Sequence, residues 1–307
     1  MLAVFTSKRN KMATVIGLDI GGTKIAAARV TDGVAENIIT TPTPATQGPE
    51  KIFDAAAGLA AQLGHGPIGV SSAGLIDPFK GTVQFATSQL TGWKGTDVAG
   101  GLSARLGAEV SVLNDVQAHA LGEYLHGVGR GHESMLLVAP GTGIGGGVIL
   151  NGRLLLGAHF AAGHVGHVDS HGAEGVACTC GRDGHAEAIA SGFGIERAYE
   201  ERVGTHLTGR DISQEDSAVA REILATAGRT FGRLIGGLVN VFDPGLVVTA
   251  GSVMKAGKVW EQAFREGFDA SCMELLQDTP IVSGTLENAA LVGAAAWVSE
   301  RKNYEVQ

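Results

Sequence analysis

Two stretches of this chain repeat one arrangement, and that repetition limits the fold more than any other feature. Residues 14–20 are an apolar, β-branched run that ends in Asp19-Ile20-Gly21-Gly22-Thr23-Lys24, and residues 25–30 resume the apolar pattern. Residues 135–138 likewise run into 139–147, APGTGIGGG, followed by Val148-Ile149-Leu150 and the turn pair Asn151-Gly152. Each reads as a strand, a tight glycine turn and a second strand. Without a Cβ in the way, such turns let backbone N–H groups face outward and cradle phosphate oxygens. The chain therefore divides into two halves, each with its own phosphate-facing turn. For Gly21-Gly22 alone, an ordinary hairpin turn is the competing reading.

Two familiar nucleotide motifs are excluded. Gly141, Gly143 and Gly146 spell G-x-G-x-x-G, but a strand and hairpin turn follow where a dinucleotide site requires a helix. Residues 251–258, GSVMKAGK, are one residue too long for a Walker A loop and lack its Ser or Thr. In the first turn, Thr23 and Lys24 add a hydroxyl and a positive charge. Asp19, at the end of an apolar strand, is poorly explained by packing and well explained by a Mg²⁺ shell that reaches phosphate.

Residues 162–187, AGHVGHVDSHGAEGVACTCGRDGHAE, hold two of the three cysteines together with a cluster of histidines and glycines. Few of these side chains can fill a core, so the segment needs another source of order. His167, Cys178, Cys180 and His185 have the types and spacing of four ligands around one tetrahedral zinc, the last three as Cys-x-Cys-x4-His. Two thiolates and two imidazoles close the coordination sphere, which makes the metal structural. A His-rich surface loop with two reduced thiols is the alternative. His164, His171 and Glu174 lie between the ligands and Glu187 just beyond the last one, so a rigid loop is able to aim His164 and Glu187 elsewhere.

Along the rest of the chain, apolar spacing predicts a helix over 49–63, a short strand at 68–70, and then Ser71-Ser72-Ala73-Gly74 with a turn at 76–78. Here backbone can approach a ligand at Gly74. A helix at 96–106 and a buried strand at 110–113 follow, ending at Asn114-Asp115. A carboxylate there sits where open α/β sheets bind ligands, while one of the two residues caps the next helix. Further helices are predicted over 213–241, 264–276 and 289–299, with strands at 246–249 and 281–283. The small-residue turn Ala250-Gly251-Ser252 suits the adenosine part of a nucleotide.

With 307 residues, 44% hydrophobic, the chain is long enough for one or two α/β domains. A net charge of −8 disfavours nucleic acid and anionic membranes as partners. Three cysteines suit a reducing cytoplasm and no disulfide framework, with Cys272 a buried thiol. No apolar stretch reaches spanning length. Residues 1–12 read as a disordered tail, with Met12 an alternative start.

Taken together, LDIGGTK, APGTGIGGG, LND and GHVGH with CTCGRDGHAE resemble the ROK family of sugar kinases (repressors, open reading frames and kinases), in the actin-like ATPase superfamily. The resemblance spans nearly the whole chain. It implies an α/β, two-domain actin-like (ribonuclease H-like) fold with mixed sheets: a domain over 13–115 joined by a returning helix near 289–303, and a domain over 116–288 carrying the zinc loop. Sugar and ATP would be held in the cleft between them.

By the same resemblance, Asp115 is the general base, and Gly74, Asn114, His164, His167 and Glu187 meet the sugar. Asp19, Gly21, Gly22, Thr23, Lys24, Gly141, Thr142, Gly143 and Gly251 meet ATP and Mg²⁺. His167, Cys178, Cys180 and His185 hold Zn²⁺, with His185 standing where the family has a third cysteine. Family glucokinases carry Glu in A-G-E-x-G-H where this chain has His164, and AGHVGH with EAIASG resembles bacterial N-acetylmannosamine kinases. Gln89 in SQLTGW departs from the common Asn. The expected activity is therefore phosphorylation of the 6-hydroxyl of N-acetylmannosamine in cytoplasmic sialic-acid breakdown, by a homodimer. A glucokinase or other hexose kinase is the alternative, and a sugar sensor a remote one.

Overall fold

The computed structural model describes residues 14–87 and 89–304; the tail expected over 1–12 lies outside them. Two compact units are present, one comprising the chain up to Gly122 with the segment from Asn288 onward, the other Glu123–Glu287.

The first unit opens with an antiparallel meander of β1 (Val15–Ile20), β2 (Lys24–Thr31) and β3 (Val34–Pro42). Helix α1 (Pro49–Gln62) leads to β4 (Ile68–Ser72), which lies parallel to β1. A small hairpin, β5 (Leu75–Asp77) and β6 (Thr82–Phe85), precedes α2 (Val98–Leu106), β7 (Val110–Asn114) and α3 (Asp115–His126). The sheet order is β3-β2-β1-β4-β7. Helix α1 turns Ile52, Phe53, Ala56, Leu59 and Ala60 inward, the spacing of one helical face. Every residue of β4 and β7 is buried, as in parallel strands covered on both faces. Where a turn was expected at 76–78, Leu75–Asp77 is a strand; the chain reverses after it, with the Asp77 carboxylate accepting from the N–H groups of Phe79 and Lys80.

In the second unit β8 (Met135–Pro140), β9 (Ile144–Leu150) and β10 (Arg153–Leu154) form another antiparallel meander. Helices α4 (Glu187–Ala190), α5 (Gly192–Val203), α6 (Gly209–Gln214) and α7 (Ala218–Phe242) follow, then β11 (Val247–Thr249), α8 (Lys258–Asp269) and β12 (Ile281–Ser283). Its sheet order, β10-β9-β8-β11-β12, repeats that of the first unit, with three antiparallel strands followed by two parallel ones. The repeated glycine turns therefore report a repeated topology. The second glycine stretch contributes more strand than loop, because Ile144–Leu150 pairs in register with Met135–Pro140 and leaves only Gly141-Thr142-Gly143 to turn.

Two helices depart from their expected bounds. The stretch 213–241 is divided before Ser217, whose hydroxyl accepts from Ala220 N–H and starts α7 afresh. The helix expected over 264–276 begins earlier, after Gly257 (φ 95°), and ends by Asp269. Its inward residues, Trp260, Ala263, Phe264, Gly267 and Phe268, keep helical spacing from that earlier start. Among the described residues no helix is long and apolar enough to cross a membrane.

The last helix, α9 (Ala289–Glu300), returns to the first unit and packs on β1 and β4. The approach is so close that a Cβ on Gly69 would lie 2.0 Å from the Ala294 carbonyl oxygen. Backbone cannot rotate aside as a side chain would. Gly69→Ala should cost about 1–3 kcal/mol, visible as a thermal midpoint lowered by several degrees; an unchanged midpoint would contradict the packing.

Candidate active site and metal centre

In the first unit, parallel register places Asp19 of β1 beside Ser71 of β4, and Ser72 of β4 beside Asn114 of β7. Ser71 Oγ donates to Asp19 Oδ1 at 2.7 Å. Asn114 Oδ1 accepts from the N–H groups of Val116 and Gln117, both at 3.0 Å, and so caps α3. Its Nδ2 donates to the Gly74 carbonyl at 2.9 Å and to Asp115 Oδ1 at 2.8 Å. All four hydrogen-bonding positions of the amide are filled, so Asn114 fixes both Asp115 and the Gly74 turn. Gly74 has φ 101°, and a Cβ there would lie 2.7 Å from the Phe85 carbonyl oxygen.

Burial, reinforced by the charge of Asp19, pushes the Asp115 carboxyl up to about 6 against the opposing bonds from Val116 N–H and Asn114. Burial also raises Asp19, opposed by the Ser71 hydroxyl and the Lys24 charge. A carboxylate with its proton affinity raised in this way is better matched to accepting a proton near neutrality. Beside it, the first glycine turn is closed by Gly21 N–H to the Lys24 carbonyl at 3.1 Å and by Thr43 Oγ1 to the Gly21 carbonyl at 2.7 Å. Thr23 and Lys24 are exposed at its tip.

In the second unit, Gly141 N–H donates to the Gly143 carbonyl at 2.8 Å. The carbonyls of Gly141 and Thr142 accept from Gly192 and Phe193 N–H at the start of α5, at 2.7 and 3.2 Å. Gly251, at φ 93°, packs directly on this turn, since a Cβ there would lie 2.4 Å from the Pro140 carbonyl oxygen. Gly141, Thr142, Gly143 and Gly251 are thus brought together.

The segment between β10 and α4 is almost free of regular structure, as its composition predicts. Ligand atoms of His167, Cys178, Cys180 and His185 all lie within 4.8 Å of one another. Cys178 Sγ is 3.5 Å from His167 Nδ1, and Cys180 Sγ is 3.3 Å from His185 Nδ1. With metal–ligand bonds of 2.0–2.3 Å, a tetrahedral zinc separates its ligands by roughly 3.5 Å, so this donor set fits one ion. Burial pushes the Cys178 thiol up to about 11; a divalent cation supplies the charge that favours the thiolate.

Glu187, only 5% exposed, follows the last of these ligands. Its Oε2 accepts from Ile144 N–H at 2.8 Å, and its Oε1 from Thr179 Oγ1 at 2.5 Å. One carboxylate therefore joins the second glycine turn to the metal loop. A Cβ on Gly143 would lie 2.6 Å from Oε2, so a larger residue there would displace the carboxylate from this position. His164 is half-buried and its Nδ1 donates to the Ala161 carbonyl at 3.1 Å, which leaves Nε2 as an acceptor when the ring is neutral. Burial lowers its pKa, favouring that neutral ring.

Ser71 and Thr179 are the two site residues that the sequence reading did not single out. Ser71 becomes visible only once β1 and β4 are in register. Thr179 carried a signal, a hydroxyl between two metal-type cysteines, but its reach to Glu187 depends on how the loop folds back.

Comparison with known proteins matches residues 15–301 to the ROK family model. The glucokinase of Streptomyces coelicolor is 32% identical, over 92% of this chain and 97% of its own. The N-acetylmannosamine kinase of Escherichia coli O139:H28 is 35% identical over 78% of this chain and 83% of its own. The structure of a ROK family glucokinase from Streptomyces griseus in complex with glucose and AMPPNP superposes with a TM-score of 0.79 at 31% identity, covering 92% of this chain and 98% of that one.

Protein purified without chelator is expected to carry about one equivalent of zinc per chain, measured by elemental analysis. His185→Ala should lower that content, and chelation should lower the thermal midpoint. Metal content near zero in the unsubstituted protein would count against the site.

Proposed function

The chain belongs to the ROK family, and on that premise we propose that this sugar kinase transfers the γ-phosphoryl group of ATP to the 6-hydroxyl of N-acetylmannosamine. The observation that carries the choice of sugar is His164 in AGHVGH, with its Nδ1 engaged by Ala161 and a neutral ring favoured by burial. An uncharged imidazole with one acceptor nitrogen offers a sugar different bonding from an acceptor-only carboxylate with two oxygens. A change of group at the sugar's C1 and C2 is the kind of substrate change such an exchange supports. The closer identity to the E. coli N-acetylmannosamine kinase agrees. The glucokinase likeness covers more of the chain and favours glucose as the second reading.

In this mechanism Asp115 accepts the proton of the attacking hydroxyl while Asn114, through its Nδ2, holds the Asp115 carboxylate in place. Glu187, His164 and the Gly74 backbone bond the sugar, and His167 faces it from the metal loop. Asp19, Gly21, Gly22, Thr23 and Lys24 would hold Mg²⁺ and the phosphates, while Gly141, Thr142, Gly143 and Gly251 would meet the rest of the nucleotide. Mg²⁺ held at these residues would supply positive charge to offset that of the transferring group. Zn²⁺ at His167, Cys178, Cys180 and His185 would keep the loop in shape and take no part in the transfer.

ATP consumption with Mg²⁺ should be compared for N-acetylmannosamine, N-acetylglucosamine, glucose, mannose and fructose. N-acetylmannosamine is expected to give the highest kcat/KM, and preference for glucose would overturn the substrate assignment. Asp115→Asn should lower kcat by about 10²–10⁴. Because Asp115 acts as the ionised base, kcat/KM should rise with pH through about 6 and then level off. A profile flat down to pH 5 would argue against this role.

A further inference from the structure

Two stretches far apart in sequence converge on the Glu187 carboxylate: the strand leaving the second glycine turn, and the metal loop, which runs directly into the short helix α4 that carries Glu187 itself. We propose that Thr179 is a positioning residue for the reaction, its hydroxyl setting the orientation in which the Glu187 carboxylate receives the sugar. This inference rests on the proposed kinase mechanism, in which Glu187 accepts hydrogen bonds from sugar hydroxyls.

A glutamate side chain has three rotatable bonds, and a single anchor leaves its carboxylate free to swing about that bond. Ile144 N–H holds Oε2 at 2.8 Å. Thr179 Oγ1 supplies the second anchor, on the other oxygen and from another segment. At 2.5 Å it has the length of a charge-assisted hydroxyl–carboxylate bond. Cys178 Sγ also approaches Oε1, at 3.5 Å, but a metal-bound thiolate has no proton to donate, so that contact does not anchor the carboxylate. With about four acceptor positions on a carboxylate and these donors on two of them, capacity remains on each oxygen for a sugar hydroxyl.

Packing does not account for Thr179. The residue is exposed, and its hydroxyl reaches a carboxylate eight residues away in a different element. Thr208, by contrast, bonds Asp211 N–H in the manner of an ordinary helix cap. The backbone around Thr179 is itself fixed, by Cys178 N–H to the Arg182 carbonyl at 2.7 Å and Gly181 N–H to the Cys178 carbonyl at 3.1 Å. A donor on so rigid a turn is suited to orienting its acceptor.

The test uses the zinc-loaded full chain with Thr179→Val, which keeps the shape and removes the donor, and Thr179→Ser, which keeps the donor. Sugar and ATP kinetics, zinc per chain and thermal midpoint are measured for each. Thr179→Val should lower kcat/KM for the sugar about tenfold, with KM for ATP and zinc content unchanged, and Thr179→Ser should restore most of it. A valine variant with unaltered sugar kinetics would overturn the inference, and so would zinc lost in step with activity, because that result describes a damaged loop. If the unsubstituted chain phosphorylates no sugar, the kinase mechanism fails and takes this inference with it. An active wild type with an indifferent valine variant removes the inference alone.

Discussion

The hydrogen-bonded register of β1, β4 and β7 is the constraint on which the chemistry of the first unit depends. Because Asp19 pairs with Ser71, and Ser72 with Asn114, the side chains at these strand ends are set by the ladder and not by loops. A slip of one residue would turn each of them to the opposite face of the sheet. Burial is the larger cause of the raised proton affinity of Asp115, and the same register adds to it by bringing the Asp19 charge close.

One loop of the second unit reaches order by a different route. This loop, 162–187, contributes little to the core beyond Val165, Ala173, Cys178 and Ala186, and is held by turns, isolated bridges and its Cys/His cluster. Glu187 is where this arrangement meets the glycine turn, since Ile144 and Thr179 bond its two oxygens. A buried carboxylate with both oxygens satisfied is tolerated, and one with a missing donor is costly. Loop and turn are consequently coupled through this side chain, beside the close packing of Gly166 on Ile144 and of Gly163 and Val165 on Gly146.

Much of this was legible from the chain itself. The strand–turn–strand repeat foretold two halves of one design, the family resemblance implied their mixed sheets, and Cys-x-Cys-x4-His with His167 marked the cluster that the structure gathers. Periodicity was less informative at helix ends. The break before α7 turns on the Ser217 cap, and the early start of α8 on a left-handed Gly257, both local events that the apolar pattern hardly registers. Ser71 and Thr179 were out of reach for another reason. Each acts on a partner in another element, Asp19 and Glu187, and a hydroxyl has no periodic signature that would show which acceptor it will find.

Helix α9 gives the first unit an unusual timetable. Leu291, Val292 and Trp297 are buried, and the helix covers β1 and β4, strands that leave the ribosome long before it does. The intervening Glu123–Glu287 can acquire its own core during synthesis, whereas the sheet begun first must wait with one apolar face uncovered. The unit that carries Asp115 is thus the last to have all of its chain, and its sheet is covered on the α9 face only at the end of synthesis.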